Sequence, residues 1–251
     1  MVEIEYKKLI FGTRQIWFAD FPYEVKGTHR VIFRDCKGKT EVPGFTCEQH
    51  TTFVIDLDES LEGIWGAMSS TCRYEIRRAE REGLRVEMNQ NFEDFIEMEK
   101  LFNRAKQLSE RGNMNVGFMK RYGTLFTVRL GQEVLGGQFY LEDKNNIRLL
   151  SAPSKRLNVD SKKSVLVGMG NRLMTWEAVK YSKAKSIKEF DFGGYYGGGI
   201  GGKILDEPNR FKQSFGGDKV ERYIYQKDYS VIYKNISLLK KYFKNVKRTI
   251  S

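Results

Sequence analysis

Three apolar segments in the middle of the chain, separated by short polar turns, limit the fold more than any other part of the sequence. Thr124–Leu130 and Val134–Leu141 flank a turn at Gly131-Gln132, and a second turn at Asp143–Asn146 leads into Ile147–Ala152. Apolar runs of this length on both sides of a glycine-containing turn are typical of a β-hairpin. The sequence therefore predicts three antiparallel strands that follow one another along the chain.

Helices and further strands are predicted on both sides of these strands. From Leu61 to Ala79, apolar residues recur every three or four positions, which indicates one helix with a buried face that stops at Gly83. The order of elements lacks the repeated strand–helix alternation of dinucleotide-binding folds. It predicts an α+β fold in which helices flank a central mixed, mostly antiparallel sheet. The other predicted helices are Phe92–Glu110, Lys163–Lys183, Asp206–Phe215 and Tyr229–Lys247, and the other predicted strands are Thr51–Leu57, Leu84–Met88, Ile187–Phe192 and Lys219–Gln226.

The first fifty residues are less regular than the rest. Short strands are predicted at Leu9–Phe11 and Arg30–Arg34, with glycine-containing turns between them. From Thr51 onward the apolar patterns are clearer. The sequence predicts an N-terminal extension over residues 1–50 and one domain over residues 51–251.

The chain of 251 residues carries a formal net charge of +11 at pH 7. A basic excess attracts polyanions such as tRNA, nucleotide-sugar pyrophosphates, coenzyme A or an anionic membrane surface, and it does not choose among them. Part of the excess lies near the C-terminus, where it also suits a solvated helix face: Lys240, Lys241, Lys244, Lys247 and Arg248.

Metal sites, disulfides and membrane spans are not expected. The three cysteines, Cys36, Cys47 and Cys72, form no C-x-x-C pair, and the two histidines lie far apart in the chain. The N-terminus lacks the apolar core of a signal peptide, and no apolar run approaches the ~20 residues that a membrane span needs. The sequence predicts a cytoplasmic protein with no metal and no cofactor.

The segment Gly193–Gly202 contains seven glycines. It matches the phosphate-loop pattern G-x-x-x-x-G-K, but residue 204 is Ile204 where that loop needs a serine or threonine. The alternative is an active-site loop that borders the main cleft. In that case Gly193 and Gly194 allow close approach of a ligand, and the side chains that contact it are Tyr195 and Tyr196.

Four ordered motifs surround this loop. In this order and spacing they resemble the Fem-type (FemAB-like) aminoacyltransferase family, which shows a strand ending in Ile-Asp-Leu, a helix with Ile-Arg-(Arg or Lys)-Ala-Glu, a strand ending in Asp-Phe-Gly-Gly and a closing Phe-Lys-x-x-Phe-Gly-Gly. The resemblance covers about residues 51–227. The motifs are Thr51-Thr52-Phe53-Val54-Ile55-Asp56-Leu57, Arg73–Gly83, Phe190-Asp191-Phe192-Gly193-Gly194 and Phe211-Lys212-Gln213-Ser214-Phe215-Gly216-Gly217.

The resemblance implies a GNAT-like acyltransferase fold and a donor and acceptor. Fem-type enzymes take an amino acid from aminoacyl-tRNA and place it on a muropeptide linked to a lipid or a nucleotide. Larger members have two such domains, whereas this chain has room for one. The resemblance therefore predicts an amine of a peptidoglycan-type or small-molecule acceptor.

The resemblance also implies site residues. Lys212 matches the family lysine that lies near the reacting carbonyl, where a fixed ammonium stabilises developing negative charge. Phe211 packs against the donor end or belongs to the core. Asp191 acts as a base or an orienting group, or it caps a turn. No Ser-His-Asp set is visible, so the acceptor amine is expected to attack the donor directly.

Basic residues elsewhere are candidates for contacts with the donor. Enzymes of this fold that use coenzyme A usually show (Gln or Arg)-x-x-Gly-x-(Gly or Ala) before the long helix, and the stretch 154–164 lacks it. Lys155 and Arg156 could still meet phosphates. Arg73 and Arg77 could contact tRNA phosphates or form a solvated face paired with glutamates.

Three functions follow from these residues. The first is aminoacyl transfer from aminoacyl-tRNA to an amine. The second is N-acyl transfer from acyl-coenzyme A or an acyl carrier protein, in polysaccharide or secondary metabolism. The third is a non-catalytic GNAT-like module that binds RNA or a partner protein.

Overall fold

The computed structural model describes residues 1–8, 10–105, 114–195 and 203–232. Within these ranges the strands are β1 (Val2–Lys8), β2 (Phe11–Trp17), β3 (Arg30–Cys36), β4 (Thr46–Asp56), β5 (Arg85–Met88), β6 (Gly123–Leu130), β7 (Glu133–Glu142), β8 (Asn146–Ser151), β9 (Glu189–Gly194) and β10 (Asp218–Asp228). The α-helices named here are α1 (Leu61–Ala67), α2 (Ser70–Arg81), α3 (Phe92–Ala105), α4 (Val116–Tyr122), α5 (Ser161–Ala184) and α6 (Lys203–Gln213). No helix within the described ranges is both long and apolar enough to cross a membrane.

These elements form two compact units. One contains Met1–His50 together with residues from Glu221 onward, and the other contains Thr51–Val220. The sequence predicted a different organisation, with an N-terminal extension over residues 1–50 and a single acyltransferase domain over residues 51–251. That division stays a prediction.

The first unit is built on strands β1, β2, β3 and most of β10. β1 and β2 form an antiparallel hairpin, β2 and β3 are parallel, and β3 and β10 are antiparallel. Its core packs Ile16, Val31, Phe33 and Tyr225. Of the strand predicted at 9–11, Leu9 lies outside the described residues and Phe11 begins β2, whereas the prediction is wrong for Ile10, because it lies in a turn and is 79% exposed.

The second unit contains a mixed sheet in the order β4-β9-β8-β7-β6-β5. Every neighbouring pair is antiparallel except β8 and β9, which run parallel. The predicted run of three antiparallel strands is confirmed as β6, β7 and β8. The α+β class and the mostly antiparallel sheet are confirmed with it.

Two apolar cores cover opposite faces of this sheet. On β6, Phe126 packs in a core with α2 and α5, whereas Leu125 packs in a second core with α3 and α4. Successive strand residues point to opposite faces, so the two groups of helices lie on opposite sides. The short helix α4 was not predicted from the sequence, although Asn115 caps it by accepting a hydrogen bond from the Phe118 amide.

The single helix predicted from Leu61 to Ala79 is wrong, because the chain breaks between α1 and α2. Ser69 caps α2 by accepting a hydrogen bond from the Cys72 amide at 3.1 Å. The Arg73 guanidinium donates to the carbonyl oxygens of Gly66, at 2.9 Å, and Met68, which lie at the end of α1. These bonds satisfy helix-end groups that a continuous helix would have paired internally. Most of the predicted C-terminal helix, 233–247, lies outside the described residues, as does the basic tail.

Both glycines of the closing Phe-Gly-Gly motif are required for steric reasons. Gly216 has φ +70°, and a Cβ atom there would lie 2.5 Å from the Ala67 carbonyl oxygen. A Cβ atom at Gly217 would lie 2.5 Å from the Val54 carbonyl oxygen. Only glycine lets the backbone after α6 pass this close to α1 and β4.

Gly216→Ala is therefore expected to lower the free energy of unfolding by about 2 to 3 kcal/mol, since it combines a disfavoured φ with a backbone clash. Gly168→Ala is the matched control, because no atom lies within 4 Å of a Cβ built at this position in α5. That change is expected to stabilise the helix by up to about 1 kcal/mol. Urea unfolding measures both, and equal effects of the two changes would contradict the steric explanation.

Candidate active site

The candidate site lies where the two parallel strands of the second unit separate. β8 and β9 pair at Asn146/Glu189, Ile147/Phe190 and Arg148/Asp191, and the pairing ends there. β8 continues beside β7 to Ser151, and β9 continues beside β4 to Gly194. The carboxyl ends of parallel strands that diverge leave a crevice in which ligands commonly bind.

A buried ion pair marks the point of separation. The Arg148 guanidinium donates to one oxygen of the Asp191 carboxylate, and the Thr52 hydroxyl donates to the other. Arg148 is 8% exposed, Asp191 2% and Thr52 0%. Buried charges are stable only when they are paired and hydrogen-bonded, and these three side chains meet that condition across β8, β9 and β4.

A β-bulge follows the ion pair. Thr52 pairs with Gly194 and Val54 with Asp191, so two residues of β9 lie opposite one residue of β4. Gly193 has φ +80°, and its amide donates to the Asp191 carboxylate at 2.6 Å. Glycine is the residue that adopts this conformation without strain, and the bulge redirects the backbone at the end of β9.

The ammonium group of Lys212 lies against this bulge. Its Nζ donates to the carbonyl oxygen of Gly193, at 3.3 Å, and to that of Gly194. Lys212 comes from the last turn of α6, so the Phe-Lys motif and the Asp-Phe-Gly-Gly motif meet in space. The pKa of Lys212 falls from its usual 10.5 to about 8, chiefly because the ammonium is buried; the Asp191 carboxylate opposes this shift, and the Arg148 guanidinium adds to it.

Aromatic side chains surround Lys212. The ring of Phe211 packs against Phe215 at 5.3 Å, and the Arg172 guanidinium lies 5.2 Å from its centre. The ring of Tyr195 stacks on Phe53, and its hydroxyl accepts a hydrogen bond from Gln213 at 2.9 Å. Phe211 is thus a partly buried neighbour of the apolar core.

Gly193, Gly194 and Tyr195 therefore lie with Lys212 and Asp191 at one place in the structure. A Cβ atom at Gly194 would meet nothing within 4 Å, so this part of the bulge is open. Tyr196 and the rest of the glycine-rich segment up to Gly202 lie outside the described residues. The expectation that this segment borders the cleft stays a prediction.

The other predicted substrate-binding residues do not join this cluster. Arg73 donates to the carbonyl oxygens that end α1. Arg77 is exposed, with its guanidinium 5.3 Å from the centre of the Trp65 ring. Lys155 Nζ lies 3.3 Å from the Glu133 carboxylate, which also binds Lys163, and Arg156 is exposed.

A cavity of about 430 Å³ lies next to the Glu133 carboxylate. Its walls combine apolar side chains of α3 with charged groups of both signs, and neither Lys212 nor Asp191 lines it. Hydrogen bonds from Lys163 and then Lys155 lower the pKa of Glu133. One carboxylate therefore partly neutralises the two lysines that could otherwise hold a phosphate here.

Two residues of the ion-pair cluster were missed in the sequence. Arg148 is 43 residues from Asp191 and 96 residues from Thr52 in the chain, so local patterns do not connect these residues. The one available signal was a charged residue inside the apolar segment Ile147–Ala152. A buried arginine in a strand needs a carboxylate partner, and Asp191 was the nearest candidate in the next strand.

We expect the lowered pKa of Lys212 to make stability depend on pH. In the unfolded chain the pKa is ordinary, near 10.4, so between pH 8 and about 10.5 the unfolded state binds more protons. The free energy of unfolding of the wild type, relative to Lys212→Met, should rise with pH through that window. Urea unfolding at several pH values measures this difference.

Lys219→Met is the control for the pH experiment. Lys219 is exposed and lies over the Tyr195 ring, 4.4 Å from its centre. Its replacement should leave the pH profile parallel to that of the wild type. A Lys212→Met profile that is also parallel would show that this ammonium is not buried.

Arg148→Met should destabilise the protein by about 3 to 5 kcal/mol, because it leaves the Asp191 carboxylate buried without its cation. The double change Arg148→Met with Asp191→Asn removes both charges, so its cost should be well below the sum of the two single changes. Denaturant unfolding of the three variants tests this. Additive costs would mean that the two groups do not interact.

Comparison with known proteins supports the fold. No family model matches the sequence, and no curated protein matches it. FemX has a similar structure, with 12% identity, a TM-score of 0.60 and coverage of 79% of this chain and 72% of FemX. The C-terminal domain of a protein described as a lysylphosphatidylglycerol synthetase, from Agrobacterium fabrum, is also similar, with 13% identity, a TM-score of 0.53 and coverage of 84% and 71%.

A third similar structure is L-PGS from Bacillus licheniformis, with 13% identity, a TM-score of 0.50 and coverage of 84% of this chain and 72% of that one. At these identities the likeness concerns the fold. The predicted α+β fold with a mostly antiparallel sheet is confirmed, and this chain shares its fold with FemX.

Proposed function

We propose that this chain is an aminoacyltransferase that moves an amino acid from aminoacyl-tRNA to an amine of a peptidoglycan-type or small-molecule acceptor. The Fem-type motifs and the fold shared with FemX support transfer of an acyl group. One of the similar structures is named for lysylphosphatidylglycerol, in which the transferred group is aminoacyl. A tRNA donor would place the reaction in the cytoplasm.

The observation that carries the proposal is the position of the Lys212 ammonium. It is held by two carbonyl oxygens of the Gly193-Gly194 bulge, at the end of β9 where its pairing with β8 has stopped. A partly desolvated cation at the mouth of a crevice stabilises negative charge more strongly than one in water. Acyl transfer develops such a charge on the carbonyl oxygen of the donor.

In the proposed reaction the acceptor amine, after losing a proton, attacks the ester carbonyl of the donor. A C–N bond forms, and the carbonyl oxygen takes the electron pair and lies near the Lys212 ammonium. The ester C–O bond then breaks, and one proton passes from the attacking nitrogen to the departing ribose oxygen, so the products are a neutral amide and a free tRNA hydroxyl. The reaction needs no covalent enzyme intermediate.

Asp191 is assigned an orienting role. Its oxygens accept hydrogen bonds from Arg148, Thr52 and the Gly193 amide. Those bonds hold the bulge whose carbonyl oxygens position Lys212. A carboxylate engaged by a guanidinium is a poor base, because the ion pair favours the charged form.

The charges around Lys155 favour tRNA over coenzyme A as donor. Glu133 pairs with Lys155 and Lys163, so an incoming pyrophosphate would have to displace a carboxylate. The exposed Arg77 and Arg156 are better placed to meet phosphates of a large donor. Tyr195 is assigned to contact the aminoacyl end.

A transfer assay tests the proposed function. The purified chain is mixed with a radiolabelled pool of aminoacyl-tRNAs and candidate amine acceptors, and amide-bound label is counted. Treatment with RNase before mixing should abolish transfer. Transfer from acyl-coenzyme A that survives RNase would establish the second function instead. If no donor is used, both transfer functions fail, and the third function, a non-catalytic binding module, is the one that remains.

Lys212→Met should lower turnover by about 10²- to 10³-fold, the usual cost of removing one oxyanion donor, with little change in acceptor affinity. Steady-state kinetics separates the two quantities. Lys212→Arg keeps the charge with a different shape, so partial activity is expected. A folded Lys212→Met protein with intact turnover and weakened affinity would mean that this lysine binds substrate and does not stabilise the transition state.

A further inference from the structure

The carboxyl end of β8 carries a buried acidic group. Glu99 of α3 is 6% exposed, and its carboxylate accepts a hydrogen bond from the Ser151 hydroxyl at 2.9 Å. Ser151 is the last residue of β8, three positions after Arg148. Glu99 belongs to none of the sequence motifs described above.

A second bulge turns this end of β8 toward α3. Tyr140 pairs with Leu149 and Phe139 pairs with Ser151, so Leu150 is the extra residue. Leu149 packs against the core with α5, whereas Leu150 packs against the core with α3. The bulge therefore brings both Leu150 and Ser151 to the α3 side of the sheet.

Among the described residues, the Glu99 carboxylate has a hydroxyl as its partner where a buried charge normally has a cation. In the described part of the chain its hydrogen-bond partner is the Ser151 hydroxyl, and no cation pairs with it. A buried carboxylate without a cation is costly, and buried ionic groups are usually paired or bind a ligand. A bound ammonium would remove that cost.

The position of Glu99 complements that of Lys212. Both lie beyond the Arg148/Asp191 pair, Lys212 at the end of β9 and Glu99 at the end of β8. Paired strands are about 4.8 Å apart, and the pairing of β8 with β9 ends at Arg148/Asp191. The end of β9 thus carries a cation, suited to a carbonyl oxygen, and the end of β8 carries an anion.

We propose that Glu99 and Ser151 form a binding site for a substrate ammonium group. The inference rests on the proposed function and adds to it a binding site for the amine. The ammonium is that of the acceptor before it loses its proton, or the α-ammonium of the aminoacyl donor. Glu99 accepts the charged hydrogen bonds, and Ser151 holds the carboxylate in place.

Two pairs of probes test the site by binding, without transfer. The donor pair is an amide-linked glycyl-aminodeoxyadenosine and its N-acetylated form. The acceptor pair is a short blocked peptide with one lysine and its Nε-acetylated form. Calorimetry with the wild type should show at least a 10-fold preference for the ammonium form in one pair. No preference in either pair overturns the inference, and the pair that shows it identifies the source of the ammonium.

Variants then assign the preference to Glu99. Glu99→Gln can still accept from Ser151 but has no charge, so the preference should fall to within about 2-fold. Glu93→Gln removes an exposed carboxylate from the same helix and should leave it unchanged. Ser151→Ala keeps the charge and should retain most of the preference. A Glu99→Gln protein that keeps the full preference overturns the inference.

Two further outcomes also test the ammonium site. If Glu99→Gln fails to fold, Glu99→Asp is measured instead, because it keeps the charge and moves it back by one carbon. An unchanged preference in Glu99→Asp counts against the site. Because these measurements need no reaction, they separate the two proposals. If the preference depends on Glu99 but no transfer occurs, the ammonium site is supported and the proposed reaction is rejected. If transfer occurs and is unaffected by replacing Glu99, the proposed reaction is supported and the ammonium site is rejected.

Discussion

The ion pair between Arg148 and Asp191 is the interaction on which the arrangement of the candidate site depends. It joins β8 to β9 at the last position where those strands pair, and Thr52 ties it to β4. Beyond it each strand follows its other neighbour, so the pair fixes where the crevice begins. An apolar pair of the same volume could close the same space, but it would leave nothing to hold the Gly193 amide.

The two bulges position the polar groups at the ends of β8 and β9. In β9 the bulge at Gly193 points two carbonyl oxygens at Lys212, and in β8 the bulge at Leu150 presents Ser151 to Glu99. Regular strands would alternate their side chains between the two faces. The irregularities interrupt that alternation and place polar groups against Lys212 at the end of β9 and against Glu99 at the end of β8. The chemistry proposed for this chain therefore depends on departures from regular sheet geometry.

Local patterns in the sequence predicted most of the fold of the second unit. The strands β6 to β8 and the helix α5 follow from hairpin turns and from apolar periodicity, which act over a few residues. The break between α1 and α2 was missed because the apolar spacing continues across it, while Ser69 and Arg73 supply the capping bonds that end one helix and start the next. Lys212 and Asp191 were found through the resemblance to a family. Arg148, Thr52 and Glu99 were not found, because their roles depend on partners brought close only by the folded sheet.

Burying the charged Lys212 ammonium lowers the stability of the folded protein. Its ammonium is buried against carbonyl oxygens, and that burial works against the folded state at any pH where the group carries a proton. A methionine in the same space would not carry that penalty. If folding were the only demand on this position, an apolar residue would serve it better. The role proposed for Lys212 in acyl transfer would account for a lysine that lowers the stability of the fold.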